Sequence, residues 1–138
     1  MSGYRIGFIG TGGRSVCYAS VYRDCKDIEI VGLADPDPQH RKAMAKRAGI
    51  PADIPEFDNW QDMLKGSPDL HGVVISTPNF LHADQAIACL EMGLPIALEK
   101  PLATNQKDCE RIIAAEASNG GRVLLGFVLR STPFYSKI

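Results

Sequence analysis

The sequence predicts a doubly wound parallel α/β sheet, a Rossmann fold with helix, sheet and helix in three layers. Two segments and one pattern predict it. Tyr4–Ser15 reads as a strand running into a glycine turn and then a helix. Glu99-Lys100-Pro101-Leu102-Ala103 follows another buried-looking strand late in the chain. Between these segments strand-like and helix-like stretches alternate, as right-handed βαβ crossovers require.

Tyr4–Ile9 is the first strand, and Ser15–Arg23 carries small and apolar residues at helical spacing. Ile28–Ala34 is a second β-branched run. Asp37-Pro38 supplies an N-cap and a first-turn proline for a helix through Ala48, with Ala43, Met44 and Ala48 expected on its buried face. Asn59–Lys65 reads as a short helix ended near Gly66. Val73-Val74-Ile75, inside Gly72–Ser76, is apolar on both faces, as in a central parallel strand. Phe80–Met92 is the clearest amphipathic helix: Ala83, Ala86, Ile87 and Leu90 share one face, and Gly93 follows as a C-cap. Pro95–Leu98 is a short strand, Asn105–Ser118 a helix stopped by Asn119-Gly120-Gly121, and Val123–Val128 a last strand. Residues 1–128 thus form one expected domain, and 129–138 the start of a connection to a further one that the chain lacks.

Composition narrows the function. With 138 residues, 45% of them hydrophobic, the chain can bury a core of its own. A net charge of -1 leaves no basic footprint for nucleic acid and no polybasic membrane signal. No apolar run approaches the ~20 residues of a membrane span, and the first residues do not resemble a signal peptide. A cytoplasmic location is expected. The four cysteines (Cys17, Cys25, Cys89 and Cys109) contain no C-x-x-C pair, and three fall in helix-like patterns. They read as structural thiols, and no metal site is expected.

Gly10-Thr11-Gly12-Gly13-Arg14-Ser15 fits G-x-G-x-x-G with serine in the third glycine's place. Glycine at position 10 permits a tight turn, and the missing Cβ at 12 lets backbone N–H groups approach a pyrophosphate. The following helix offers its N-terminal dipole to the same anion. Asp35 ends the second strand about 25 residues on, where an acid accepts hydrogen bonds from an adenosine ribose. The lesser alternative is a cap or turn aspartate within Asp35-Pro36-Asp37-Pro38. An acid there favours NAD over NADP, whereas Arg14 could stack on adenine, pair with a 2′-phosphate or stand solvated. The cofactor expectation is NAD, with NADP not excluded.

Three further features fall on the same sheet edge: Ser76-Thr77-Pro78-Asn79 after the central strand, His82 at the next helix start, and Glu99-Lys100-Pro101. This succession closely resembles the Gfo/Idh/MocA oxidoreductases, named for glucose-fructose oxidoreductase, inositol dehydrogenase and a rhizopine catabolism protein. The resemblance runs through Ile6–Ser15, Gly32–Pro38, Val74–His82, Ala83–Gly93, Glu99–Ala103 and Gly126–Pro133. It implies that Gly10, Thr11, Gly12, Gly13, Arg14, Ser15 and Asp35 hold the adenosine half of NAD(P). Ser76, Thr77, Pro78, Asn79 and His82 would line the nicotinamide-side ribose and phosphates. Glu99 would complete the cofactor site, and Lys100 would stand as the catalytic residue beside the nicotinamide and the reacting substrate oxygen. Pro101 would fix the turn that presents them. The resemblance also implies a sugar or polyol substrate, a homo-oligomer for the full-length enzyme, and a C-terminal substrate domain that supplies a histidine base. His40, His71 and His82 do not match that base.

The chemistry of Lys100 stands without the family. Hydride leaving an alcohol carbon requires its oxygen to lose a proton, and hydride reaching a carbonyl builds negative charge there. An ammonium within hydrogen-bond reach stabilises that negative charge, and desolvation lowers a lysine's pKa toward usefulness in proton transfer. Two other readings share the site: a glycosidase that oxidises its sugar only transiently on a retained NAD, and a non-catalytic dinucleotide-binding module. A methyltransferase gives Glu99-Lys100-Pro101 no role.

Overall fold

Strands that are apolar on both faces must be covered on both, and this requirement organises the computed structural model, which describes residues 3–127. The elements run β1 (Tyr4–Ile9), α1 (Gly13–Arg23), β2 (Ile28–Ala34), α2 (Pro38–Ala48), β3 (Glu56–Phe57), α3 (Trp60–Gly66), β4 (Gly72–Ile75), α4 (His82–Glu91), β5 (Ile96–Leu98), α5 (Gln106–Asn119) and β6 (Val123–Leu125). A single 3-10 turn, Asn79–Leu81, leads into α4. All strand pairs are parallel, in the order β3-β2-β1-β4-β5-β6. The expected fold class is therefore the observed one.

Each sheet face has its own core. On one face Phe8, Leu33 and Val74 pack with Ala19 of α1 and Met44, Ala45 and Ala48 of α2. On the other, Ile9, Val73, Ile75, Ile96 and Leu98 pack with Met63 and Leu64 of α3, Ala86 and Leu90 of α4, and Ile112 of α5. Cys89 belongs to this second core. Burial pushes its thiol up to about 12, which leaves it unreactive.

Most helix boundaries follow local chemistry. The Asp37 side chain accepts from Gln39 N at 2.8 Å and Pro38 opens the helix, while Gly49 closes it at φ 66°. Such a cap contributes about 1 kcal/mol. Asn59 and Asn105 cap α3 and α5 in the same way. Helix α4 starts at His82, two residues later than its apolar pattern suggests, because the 3-10 turn takes up Phe80 and Leu81. Three differences concern the expected elements. Ala43 is exposed, and the buried face of α2 is Arg41, Met44, Ala45 and Ala48. Arg41 can lie there because its guanidinium pairs with Glu56 at 2.9 Å and Asp58 at 3.0 Å, and also donates to Asp35 O. Strand β3 was not foreseen, having no apolar run; it exists through pairing Leu33 with Glu56 and Ala34 with Phe57. The last strand ends at Leu125, with Gly126 and Phe127 already outside it; Val128, its expected end, lies outside the described residues, as do 129–138.

Register decides where the site lies. Phe57, Ala34, Ile9, Ile75, Leu98 and Leu125 stand level across the sheet. The residues that follow them, Asp58, Asp35, Gly10, Ser76, Glu99 and Gly126, therefore form one row at the carboxyl edge. The row includes the point between β1 and β4 where the winding reverses, the place open α/β sheets bind ligands. A bulge between Ile6 and Gly7 of β1, where the β2 partners step from Ile30 to Gly32, sets this level.

Candidate functional site

A cleft of about 750 Å3 opens over this row, at the ends of β1 to β4. That volume is typical of a small-molecule or cofactor site. Its walls are the glycine turn (Gly10, Gly12, Gly13, Arg14), the loop after β2 (Asp35, Asp37, His40), Asp58 to Gln61 after β3, and Ser76, Thr77 and Pro78 after β4.

The glycine turn is fixed from beneath. Gly10 takes φ +84°, a conformation open to glycine, and packs against Ser76 and Thr77. Ser15, in the third glycine's place, is fully buried; its hydroxyl donates to Gly10 O at 2.6 Å and meets the Ser76 hydroxyl. A small side chain there thus ties α1 to the turn after β4. Gly12 caps α1 in extended backbone without a side-chain hydrogen bond. A Cβ added at Gly12 or Gly13 would meet nothing within 4 Å. Open space therefore faces the helix N-terminus, with its unpaired amides and positive dipole, as an anion requires.

Asp35 serves two neighbours. Its Oδ2 accepts from Thr11 N at 2.9 Å and from Thr11 Oγ1 at 3.0 Å, and its Oδ1 accepts from Asp37 N at 2.9 Å. The carboxylate lines the cleft while holding the glycine turn to the β2 loop. Thr11 itself is buried beneath the cleft.

The distal residues divide into two groups. Ser76, Thr77 and Pro78 line the cleft, and Thr77 Oγ1 donates to the buried Gln85 at 2.6 Å. Asn79 is exposed at the start of the 3-10 turn. His82 is fully buried, below the cleft: its Nδ1 lies 2.8 Å from Pro101 O and its Nε2 3.0 Å from Thr77 O. A neutral ring has one N–H and serves one of these carbonyls; a doubly protonated ring serves both. Either way the ring joins the Thr77-Pro78 turn to the Lys100-Pro101 turn, whose peptide bond is cis.

Glu99 is buried and Lys100 exposed. Tyr18 donates to Glu99 Oε1 at 2.6 Å, Arg14 Nε stands 3.4 Å from the same oxygen, and Lys100 N donates to Oε2 at 3.2 Å. Burial, then the hydrogen bond and charge of Glu99, push the Tyr18 phenol up to about 12. Arg14 is thus paired on the β5 side of the turn, rather than beside Asp35. Among the described residues Lys100 has no carboxylate within ion-pair distance.

Sequence reasoning missed Tyr18, Gln85 and Arg41, which hold site residues through contacts distant in sequence. It also missed Asp58 to Gln61, for which β3 would have been the signal, and His40, which lines the cleft. Among the described residues no group of His, Cys, Asp and Glu is arranged to hold a metal ion. No described helix is long and apolar enough to cross a membrane.

Residues 4–127 match the model of the oxidoreductase family with an NAD-binding Rossmann fold, the Gfo/Idh/MocA family. The chain belongs to this family. It is 32% identical over 133 residues to inositol 2-dehydrogenase 1 of Saccharopolyspora erythraea, a match covering 95% of this chain and 39% of that protein. The WlbA dehydrogenase from Bordetella pertussis, crystallised with NADH and UDP-GlcNAcA, superposes with TM-score 0.84 at 26% identity, over 98% of this chain and 40% of that one. The fold is also that of scyllo-inositol dehydrogenase from Lactobacillus casei, solved with NAD(H) and scyllo-inositol (TM-score 0.86, 20% identity, 99% of this chain and 39% of that one). The chain thus spans about two fifths of the length of these relatives and carries the family's NAD-binding fold.

Proposed function

We propose that this chain, with residues 1–128 as its domain, binds NAD(P) in an enzyme that moves hydride between the nicotinamide and a hydroxyl carbon of a sugar or polyol. The observation that carries this reading is the row of strand ends: a glycine turn with open space at a helix N-terminus, an acid at one side, and a glutamate-lysine pair at the other. The residues fit a dinucleotide, because a Cβ at Gly12 or Gly13 would stand in the space its pyrophosphate needs.

Amides at the start of α1 bind the pyrophosphate, and Asp35 accepts from the adenosine ribose. Ser76, Thr77, Pro78 and Asn79 lie along the nicotinamide half, with His82 behind them. The bound cofactor supplies the hydride acceptor or donor. Lys100 holds the substrate oxygen: its neutral amine takes the hydroxyl proton as an alcohol is oxidised, and the resulting ammonium returns that proton to the oxygen as a carbonyl is reduced. Glu99, clamped by Tyr18 and Arg14, fixes the backbone of Lys100. The wider reading includes a cytoplasmic location and a homo-oligomeric full-length enzyme. It also assigns the remaining substrate contacts to a further domain, of the kind the relatives' unmatched length can hold.

The test is calorimetric titration of the chain with NADH, followed by a screen of the complete enzyme for NAD(P) reduction by inositols and sugars. Saturable binding with reduction is expected. A folded chain that does not bind NADH would overturn the reading.

A further inference from the structure

We propose that His40, through its charge, sets how strongly the adenosine end of the cleft rejects a 2′-phosphate. The inference rests on the dinucleotide reading above.

His40 is the third residue of α2 and its side chain is 59% exposed. Its Nδ1 lies 3.7 Å from Asp35 Oδ1 and its Nε2 3.8 Å from Asp37 Oδ2. It lines the cleft together with Asp35, Asp37 and Asp58. Acceptor capacity makes this position matter. A carboxylate has about four acceptor sites, two on each oxygen. Thr11 N and Oγ1 fill Oδ2 of Asp35, and Asp37 N takes one site on Oδ1. One site remains, on the oxygen that His40 faces.

A ribose hydroxyl and a charged imidazole therefore compete for the same lone pair. While His40 is neutral, Oδ1 accepts the 2′-hydroxyl of NAD, and a 2′-phosphate meets Asp35 from β2, Asp37 from the start of α2 and Asp58 from beyond β3. Once His40 is charged, it pairs with Asp35 and Asp37 and gives the phosphate a cation. The arginines nearby are engaged elsewhere. Arg14 is paired with Glu99, and Arg41 is buried against Glu56, Asp58 and Asp35 O. Histidine is the side chain that changes charge between about pH 5 and 8. Protonation thus weakens NAD binding and strengthens NADP binding.

The experiment measures dissociation constants of NAD+ and NADP+, the acid-stable forms, at pH 8 and pH 5.5. It compares the wild-type chain, His40→Gln and His40→Lys. Glutamine suits an early helical position and carries no charge. A phosphate monoester ionises near pH 6 by itself, so the readout is the difference between wild type and His40→Gln. The wild-type Kd(NADP+)/Kd(NAD+) ratio should fall about five- to tenfold more than that of His40→Gln, the scale of one partly exposed charge. His40→Lys should give the low ratio already at pH 8. Equal pH responses in wild type and His40→Gln, or a His40→Lys ratio as high as wild type at pH 8, would overturn the proposal while leaving the dinucleotide site standing. Failure of every variant to bind either cofactor would overturn both.

Discussion

Gly10 and Gly12 lie two positions apart, yet a side chain should damage different properties at each. At Gly10 the backbone has φ +84°, and an added Cβ would come within 2.8 Å of Ser76 O and 2.9 Å of Thr77 Cγ2. The left-handed conformation costs an alanine about 1–2 kcal/mol. The contact is with backbone that β1 and β4 hold in place, an overpacking cost of about 1–3 kcal/mol. Gly10→Ala should therefore lose about 2–5 kcal/mol, a large part of the 5–15 kcal/mol usual for a domain. At roughly 3 °C per kcal/mol its Tm should drop by about 6–15 °C. Gly12 has φ -70° and ψ -173°, which any residue adopts, and open space beside it. Gly12→Val should stay within about 1 kcal/mol of wild type, because the gain in chain stiffness offsets a weaker cap. Its NADH affinity should fall at least about tenfold, or about 1.4 kcal/mol, since the isopropyl group occupies the pyrophosphate's approach. Urea unfolding measures the first effect and calorimetry the second. A Gly10→Ala protein as stable as wild type, or a Gly12→Val protein that binds NADH normally, would refute this division of roles.

Asp35→Ala should narrow the gap between NAD and NADP affinities. It should also cost about 1–3 kcal/mol, because Thr11 N loses its acceptor; an unchanged affinity ratio in paired titrations would remove Asp35 from the ribose. Tyr18→Phe strips the buried Glu99 of its phenol donor and should cost about 1.5–3 kcal/mol near neutral pH. The Tyr18 phenol is raised from 10.0 to about 12, so its contribution is complete below pH 10 and fades as pH climbs toward 12. Urea midpoints of wild type and Tyr18→Phe should accordingly converge over that range, and parallel curves would contradict it. In the complete enzyme, Lys100→Ala should lower kcat by roughly 10²–10⁴ with little change in cofactor Kd. Lys100→Arg should not restore the rate, because a guanidinium keeps its proton; wild-type turnover by either variant would dismiss the lysine as the acid–base group.

The legible parts of this site were those that directly follow an apolar strand. Gly10, Asp35, Ser76 and Glu99 each stand one residue past such a run, so strand recognition also located the edge residues. Strand β3 escaped because two residues, Glu56 and Phe57, carry no periodicity; Leu33 and Ala34 make them a strand. Helix α2 was placed to the residue by its cap, yet its buried face was misjudged, because an arginine takes an apolar position only when distant carboxylates satisfy it. His82 was visible as a motif residue, but its position beneath two turns depends on the Pro101 carbonyl, 19 residues away. Tyr18 had no signature at all: its partner Glu99 is 81 residues distant.

The bulge between Ile6 and Gly7 has a consequence for how this cleft tolerates change in chain length. It lets β2 run one residue longer than β1 before both reach the same height. If the same residues paired one to one with no bulge, Ile9 would face Leu33 and Asp35 would sit a step beyond Gly10. Each strand top behaves like one tooth of a comb whose tips must be flush. Residues gained or lost in the turns at the opposite edge of the sheet, such as Asp24 to Asp27, shift no tip and can be absorbed. A single residue gained or lost inside a strand displaces one tooth and opens the cleft at that point. Indels in this chain should therefore be tolerated according to which edge they touch, whatever their exposure.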